Sequence, residues 1–504
     1  MAMQPIKLPP GVVKAATPSR ARNRYWDANL IRWRGDHLLP VGGWQRNTAA
    51  PLAEPVRRLS AWRDLQDIFR IALGSDSKLQ ILEGGTVTDI TPADFEPTPP
   101  LATESGYGIG PYNADAYGTP RPLADGRLFG RPVIWSLDNF GANLLALCGS
   151  DGRLLLWDTT VLPLPAKAAP VADAPQHSIA MLVTEERHVM LFGAGGVPYR
   201  VAWCSREDIN DWDFANPGNS AGFFDLSISG FIVNAVRVRG GVLIFTDSDV
   251  WLARYIGQPF VYAFERIGEA CSLFSPYSFA SSSSTVIWMG RQTFWVFDGG
   301  AVRPLPCDVA HFLFAGIDAF AGQSRVHAAV NGLFPEAWFF YPSQGQTECD
   351  RYVIWNWQEN WWSVGALPRS AMLAASVAPY PVMAGSDGHI FEHEKGWTAA
   401  GLTRVGEVWA ETANIAIGGG DQRIEVSQAQ FDSGHGFAAT RMLAFTKEAG
   451  DGPEYVEGPF MPGADGWTDC RFSGRDIRLR IEAAQDGDWS LGELRLDAQP
   501  GAGR

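Results

Sequence analysis

The chain has 504 residues, 46% of them hydrophobic and only 19% charged, with a formal net charge of −14 at pH 7. This length allows several domains or one long all-β unit, and the acidic balance excludes a protein whose bulk grips nucleic-acid phosphates. The six cysteines form no C-x-x-C pair and no run of about 18 apolar residues occurs, which argues against a structural zinc module and a membrane-spanning helix.

Residues 1–22 carry Pro5, Pro9, Pro10 and Pro18 and predict an extended arm rather than a helix. Met1 to Pro10 hold no apolar stretch of the kind a signal peptide needs, so none is expected. From Trp26 to Trp44, Arg32 and Arg34 alternate with Ile31 and Trp33 before Gly35-Asp36, which predicts a hairpin with one polar and one apolar face. Residues 59–70 read as two or three helical turns with Ser60 as N-cap; a strand beginning at Asp67 is the alternative. Residues 1–70 hold 12 Lys+Arg against five Asp+Glu, a net of +7 that leaves −21 on residues 71–504. A basic segment on an acidic body points to contact with an acidic surface, with Arg22, Arg24, Arg32 and Arg34 as candidates. An acidic neighbouring subunit, nucleic acid and an ordinary solvated face are the readings of that contrast.

From Ile71 to about Thr398 the text is strand, turn, strand. A polar turn followed at once by an apolar strand recurs at Gly74 (G-S-D-S-K-L-Q-I-L), Gly149 (G-S-D-G-R-L-L-L-W) and Gly385 (G-S-D-G-H-I-F), with looser copies at Thr246 and Gly290. Such repetition predicts a propeller or a related array of antiparallel sheets. Its uneven spacing predicts insertions between sheets. Gly106 to Gly118 resembles a phosphate loop only in glycine content, because Pro111 interrupts it and no helical pattern follows. It reads as a Tyr/Gly contact loop, with Tyr107 a candidate for touching a neighbour. Val161 to Pro175 reads as a linker. Trp361 and Trp362 fit either an assembly contact or the core. Beyond residue 400, Asp476 to Ile481 and Gly492 to Leu496 alternate apolar and polar residues, as half-exposed strands do. The fold expected is all-β: an irregular β-propeller over 71–400, an N-terminal extended arm and hairpin over 1–70, and a C-terminal antiparallel sheet or sandwich over 401–504.

Catalytic chemistry finds little support. His389-x-x-Glu392-His393 matches an inverted zinc-protease string, but that motif needs a helix. On a strand the two imidazoles lie roughly 13 Å apart, and exposed strand histidines are the better reading. The Asp of each Gly-Ser-Asp turn is expected to bond the backbone of its own turn. Asp208 to Phe214 reads as a turn ahead of a packed Trp212. His177 and His188 join no recognisable pattern, and the cysteines read as free, mostly buried thiols of a reducing cytosol. No catalytic residue, cofactor or metal is expected.

Several phrases, in order, carry a resemblance: G-V-V (Gly11 to Val13), W-D-A-N-L-I-R-W-R-G (Trp26 to Gly35), G-G-W (Gly42 to Trp44), A-W-R-D-L (Ala61 to Leu65), G-S-D-S-K-L-Q-I-L (Gly74 to Leu82), G-G-T-V-T-D-I-T-P (Gly84 to Pro92), G-T-P-R (Gly118 to Arg121), W-C-S-R-E-D-I-N-D-W (Trp203 to Trp212) and G-V-L-I-F-T-D-S-D-V-W (Gly241 to Trp251). The chain resembles the nozzle, tail tubular or phage-stabilisation proteins of short-tailed bacteriophages. That resemblance implies a non-enzymatic virion component made in the bacterial cytoplasm. It implies a homohexameric ring below the portal and its adaptor, attachment of tail fibres or spikes, and genomic DNA sliding through the lumen without specific binding. A carbohydrate-binding or glycan-hydrolysing propeller is the alternative, and a general interaction scaffold the third reading.

Overall fold

The computed structural model describes residues 3–14, 17–95, 134–282, 284–415, 422–448 and 452–501. Nearly all the regular structure is antiparallel strand. Seven sheets have four strands each and are the blades of a β-propeller. Blade 1 is Val56–Arg63, Phe69–Ser75, Leu79–Glu83 and Thr86–Asp89. Blade 2 is Trp135–Phe140, Asn143–Cys148, Leu154–Trp157 and Ala169–Pro170. Blade 3 is Ala180–Val183, Val189–Phe192, Arg200–Trp203 and Gly222–Asp225. Blade 4 is Ile232–Val238, Gly241–Thr246, Val250–Gly257 and Val261–Gly268. Blades 5 (Phe279–Ser282 to Val302–Leu305) and 6 (His327–Val330 to Trp361–Ala366) follow the same meander. Blade 7 takes Arg369–Leu373, Val382–Gly385 and Ile390–His393 from the chain's second half and its outer strand, Trp44–Arg46, from the first.

The chain divides into two compact units: residues 52–276 with blades 1–4, and residues 1–51 with 277–504. These boundaries differ from the three sequential segments expected. The second unit holds blades 5–7 and two larger sheets. One runs Ile31–Arg34, His37–Pro40, Ser490–Pro500, Ile424–His435, Trp467–Gly474, with Gln4–Ile6 also on Ser490–Pro500. The other runs Tyr25–Asn29, Trp409–Thr412, Asp476–Ala483, Thr440–Lys447, Tyr455–Phe460. The expected C-terminal sheets are therefore present, and the N-terminal segment supplies strands to both. The hairpin at Gly35-Asp36 forms as expected, pairing Ile31 with Pro40 and Arg34 with His37. Thr440–Lys447 alternates strictly between buried and half-buried residues, the mark of a sheet with one covered face.

Blade 2 is covered on both faces. Along the second strand of blade 2, Leu144 and Ala146 join the cluster around Trp62, Ile81 and Trp135. The alternate residues Leu145 and Leu147 join the cluster around Val189, Leu191 and Ala202. Successive side chains of a strand point to opposite faces, so one strand feeds two interblade cores.

The helix expected over 59–70 is a hairpin instead. Val56–Arg63 pairs with Phe69–Ser75, and Asp64 Oδ1 accepts the N–H groups of Gln66 (3.0 Å) and Ile68 (2.9 Å) to hold the turn. Leu59 and Trp62 are three apart, a helix-like spacing. They lie on opposite faces of a strand that is buried on both.

All five copies of the repeated phrase occupy one topological place. The turns at Gly74, Gly149, Thr246, Gly290 and Gly385 each join the second strand of a blade to the third. Asp387 bonds its own turn as expected, with Oδ1 accepting from His389 N at 3.1 Å. Asp76 and Asp151 differ: they hold the guanidinium groups of Arg57 and Arg153.

Candidate interaction surface

Lys14, Arg32, Arg57, Arg63 and Arg70 of the basic N-terminal segment meet acidic partners within this chain. Arg32 lies on the strand Ile31–Arg34 and its side chain is 5% exposed. Its Nε and Nη2 donate to the two oxygens of Glu336 at 2.8 and 2.9 Å. Nη1 and Nη2 donate to those of Glu394 at 3.0 and 2.6 Å. The guanidinium also lies 3.6 Å from the ring centroid of Phe334. Lys14 pairs with Asp27, Arg57 with Asp76, and Arg70 with Asp64 and Glu83.

Two buried carboxylates share one guanidinium, and they differ in their other donors. Glu394 accepts from Asn331 Nδ2 and from the N–H of Gly42, both at 3.0 Å. Burial alone pushes its carboxyl upward, but Arg32, Asn331 and Gly42 together outweigh that and hold it below the usual carboxylate range. Glu336 has only Trp338 Nε1 beyond Arg32, and burial pushes it up despite the guanidinium.

The other sequence candidates separate. Trp361 and Trp362, each 2% exposed, belong to the core: Trp361 packs against Trp33 and Trp362 against Phe294. They are thus closed to a neighbour, as is Arg32. Arg22 and Arg34 are exposed and Arg24 is half-buried. Tyr107 and its loop lie outside the described residues.

His393 is buried rather than exposed. Its ring stacks on Trp44 at 5.2 Å, and Nε2 accepts from Arg369 Nε at 3.0 Å. That bond occupies one of the two ring nitrogens through which a histidine can ligate a metal. Arg369 is itself buried without a carboxylate against it, and burial pushes its pKa down to about 9, Asp387 acting the other way. His188 donates through Nδ1 to the carbonyl of Cys204 at 2.8 Å, so this His–Cys neighbourhood is not a nucleophile pair. The Cys204 sulfur takes the N–H of Val189, and burial pushes the thiol up to about 12. Five of the six cysteines are buried.

What sequence reasoning missed is an aromatic surface on blades 3 and 4. The outer strand of blade 3, Gly222–Asp225, exposes Phe223 (46%) and Phe224 (39%). Phe224 stacks on Phe264 of blade 4 at 4.5 Å with 4° between the rings. Phe223 lies 5.4 Å from Phe214 in the preceding loop, and Arg200 stands over its ring at 4.5 Å. At the tip of the blade 4 hairpin, Tyr255, Ile256 (54%) and Phe260 (74%) are exposed. Gln258 at that tip donates to the carbonyl of Asn219 at 3.2 Å, tying the hairpin to the loop beside Phe214. The signal was present as F-F-D and Y-I-G-Q-P-F, but apolar residues in strands look alike whether covered or not.

No protein-family profile matches the chain. A probable cytosolic iron-sulfur protein assembly protein 1 from Cryptococcus neoformans var. neoformans serotype D is 33% identical over 89 residues, 17% of this chain. The chain thus spans only about a fifth of that relative's length, 19%. Similar solved structures include the Pan2 WD40 domain of Neurospora crassa, at 10% identity and TM-score 0.39, covering 71% of this chain and 96% of that one. The Cps50 (Swd1) β-propeller domain of Myceliophteria thermophila aligns at 9% identity and TM-score 0.38 over 69% of this chain and 99% of that one. These findings correct the phage-tail expectation: the matches are to a cytosolic assembly protein and to WD40 propeller domains, not to tail components. Virion localisation, the hexameric nozzle, the portal, adaptor, fibre and DNA partners, and the carbohydrate-binding alternative are withdrawn with it. Two of the phrases that carried the resemblance, at Gly74 and Gly241, span the second and third strands of a blade, which propellers of many kinds share, and G-T-P-R at Gly118 lies outside the described residues.

Proposed function

We propose that the chain is a non-catalytic interaction scaffold, with the aromatic surface of blades 3 and 4 as its partner-binding face. The observation that carries this reading is two exposed aromatic pairs on the outer strand of blade 3, Phe214 with Phe223 on one face and Phe224 with Phe264 on the other, with Gln258 bonding the nearby loop to the exposed hairpin tip that holds Tyr255 and Phe260. Soluble proteins rarely leave aromatic rings clustered in water without a use, and aromatic anchors dominate protein interfaces. The titratable groups support the same reading. The buried carboxyl groups of Glu336 and Glu394, the His393 imidazole and the Cys204 thiol are each engaged by structural partners. Among the described residues no group of three metal-ligating side chains occurs.

The test is site-specific photo-crosslinking in cells. A photoreactive residue at position 223 should give one discrete adduct. The same residue at Val161 or Leu333, which are also exposed but belong to neither aromatic pair, should not. Identical adduct patterns at all three positions, or none at 223, would refute the reading.

A further inference from the structure

The outer strand of blade 3 is also an unpaired sheet edge. Leu226 N donates to Tyr199 O at 3.0 Å, and Arg200 stands opposite Asp225. Antiparallel ladders alternate bonded and non-bonded pairs. Phe224 and Gly222 therefore turn their backbone groups inward to Val201 and Trp203. Phe223 and Asp225 turn their N–H and C=O groups outward, where no described residue meets them.

The outer strands of the other blades are protected. Blade 2 ends on Pro170 and blade 5 carries Pro304. The blade 6 strand is covered by Val12, whose N–H donates to Trp362 O at 2.7 Å. The blade 7 strand is covered by Thr398, which takes the N–H of Trp44 at 3.0 Å. Lys167 reaches the Asp89 carbonyl beside the blade 1 strand at 3.3 Å. The blade 4 strand has register breaks and carries Glu265 and Arg266 on its exposed length. Proline, bulges, charge and cover are the usual means of blocking edge pairing. The blade 3 edge has two phenylalanines instead, one on each face.

We infer that this edge receives an extended, basic segment of a partner protein, added as a fifth strand of blade 3. This deepens the scaffold reading and rests on it. The outward groups of Phe223 and Asp225 supply the main-chain bonds, and Phe223 and Phe224 supply side-chain contacts on alternate faces. The charge of the partner follows from the loop that enters the strand. Residues 205–219 hold Glu207, Asp208, Asp211 and Asp213 against Arg206, and Phe214 in that loop packs on Phe223. A second copy of this chain would bring the same acidic loop to the edge and be repelled.

The test uses the full chain and two fluorescent octapeptides, one alternating valine and lysine, the other valine and glutamate. The lysine peptide should bind, with the glutamate peptide at least about tenfold weaker, and binding should slow amide exchange at Phe223 and Asp225. F223P removes an outward N–H without breaking a bond to Val201 or Trp203, so it should fold normally and lose at least about tenfold in affinity. F223A keeps that N–H and should lose less. Equal losses in F223A and F223P, no effect of F223P, or no binding of either peptide would overturn strand addition. So would a wild-type dimer that F223P dissociates, which would assign the edge to self-pairing. Retention of the position-223 cellular adduct alongside any of these results would leave the scaffold reading standing.

Discussion

Replacing Arg32 by methionine leaves Glu336 and Glu394 facing each other in an interior where their side chains are 1% and 6% exposed. The substitution removes four charge-assisted hydrogen bonds at once, while the carboxylates keep their burial. Removing one member of a buried ion group costs about 3–5 kcal/mol, most of it the penalty of the charge left behind. In R32M both carboxyls lack a cation, so burial raises both folded-state pKa values above their unfolded ones. The folded variant then binds more protons than the unfolded chain, and its stability rises as pH falls from 7.5 toward 5.5. In the wild type Glu394 is held below its ordinary value of 4.5, so its contribution is present above that pH and is lost only as pH falls through the lowered value. The gap between the two proteins should therefore narrow in mild acid. Urea unfolding followed by tryptophan fluorescence at pH 7.5 and 5.5 measures it. A loss under about 1 kcal/mol at pH 7.5, or a gap that widens at pH 5.5, would refute the account. R32K should fall between, because an ammonium cannot present the planar fork to two carboxylates. Adding E336Q and E394Q to R32M should recover most of the loss.

Arg369 provides the opposite case. It is a buried cation with no carboxylate partner, so R369M should cost less than about 1 kcal/mol or stabilise; a loss of 3 kcal/mol or more in the same urea titration would show that the His393 bond outweighs desolvation. Gly74 stands against Trp135, where an added Cβ would lie 2.5 Å from the ring, and Trp135 Nε1 is fixed to Ser75 O at 2.7 Å. G74A should therefore destabilise by about 1–3 kcal/mol, read as a lowered midpoint of thermal unfolding, and an unchanged midpoint would show that the ring moves freely. Iodoacetamide should leave Cys204, Cys271 and Cys470 unmodified in the native protein at pH 8, since burial pushes each thiol up to about 12, and should label all three in urea; rapid native labelling would contradict that burial.

Period and turn chemistry were legible in the sequence because they are local. Alternation in Asp476–Ala483 and the Gly-Ser-Asp turns specify strands and hairpins whatever surrounds them. The five recurrent turns mark the same step in five blades. Local text also misled. Leu59 and Trp62 imitate a helix because a strand buried on both faces has no polar face to show its period. Two of the phrases read as a phage-tail signature, at Gly74 and Gly241, are text that a propeller blade requires for its own turns and strands. The two tryptophans at 361 and 362 could not be assigned from sequence, since core and interface select the same side chains.

The sequence by itself determined an all-β chain built on repeated antiparallel sheets, through side-chain alternation and turn residues acting within a few positions. Partner choice was decided only by tertiary structure. Arg32 finds Glu336 and Glu394 more than 300 residues away, which turns an apparently free basic segment into an internal anchor. Trp44–Arg46 finds the edge of blade 7. Phe223 and Phe224 remain in water because no later strand or loop among the described residues covers the blade 3 edge. Which charge is neutralised and which edge is covered depends on residues distant in sequence, and no local pattern encodes that.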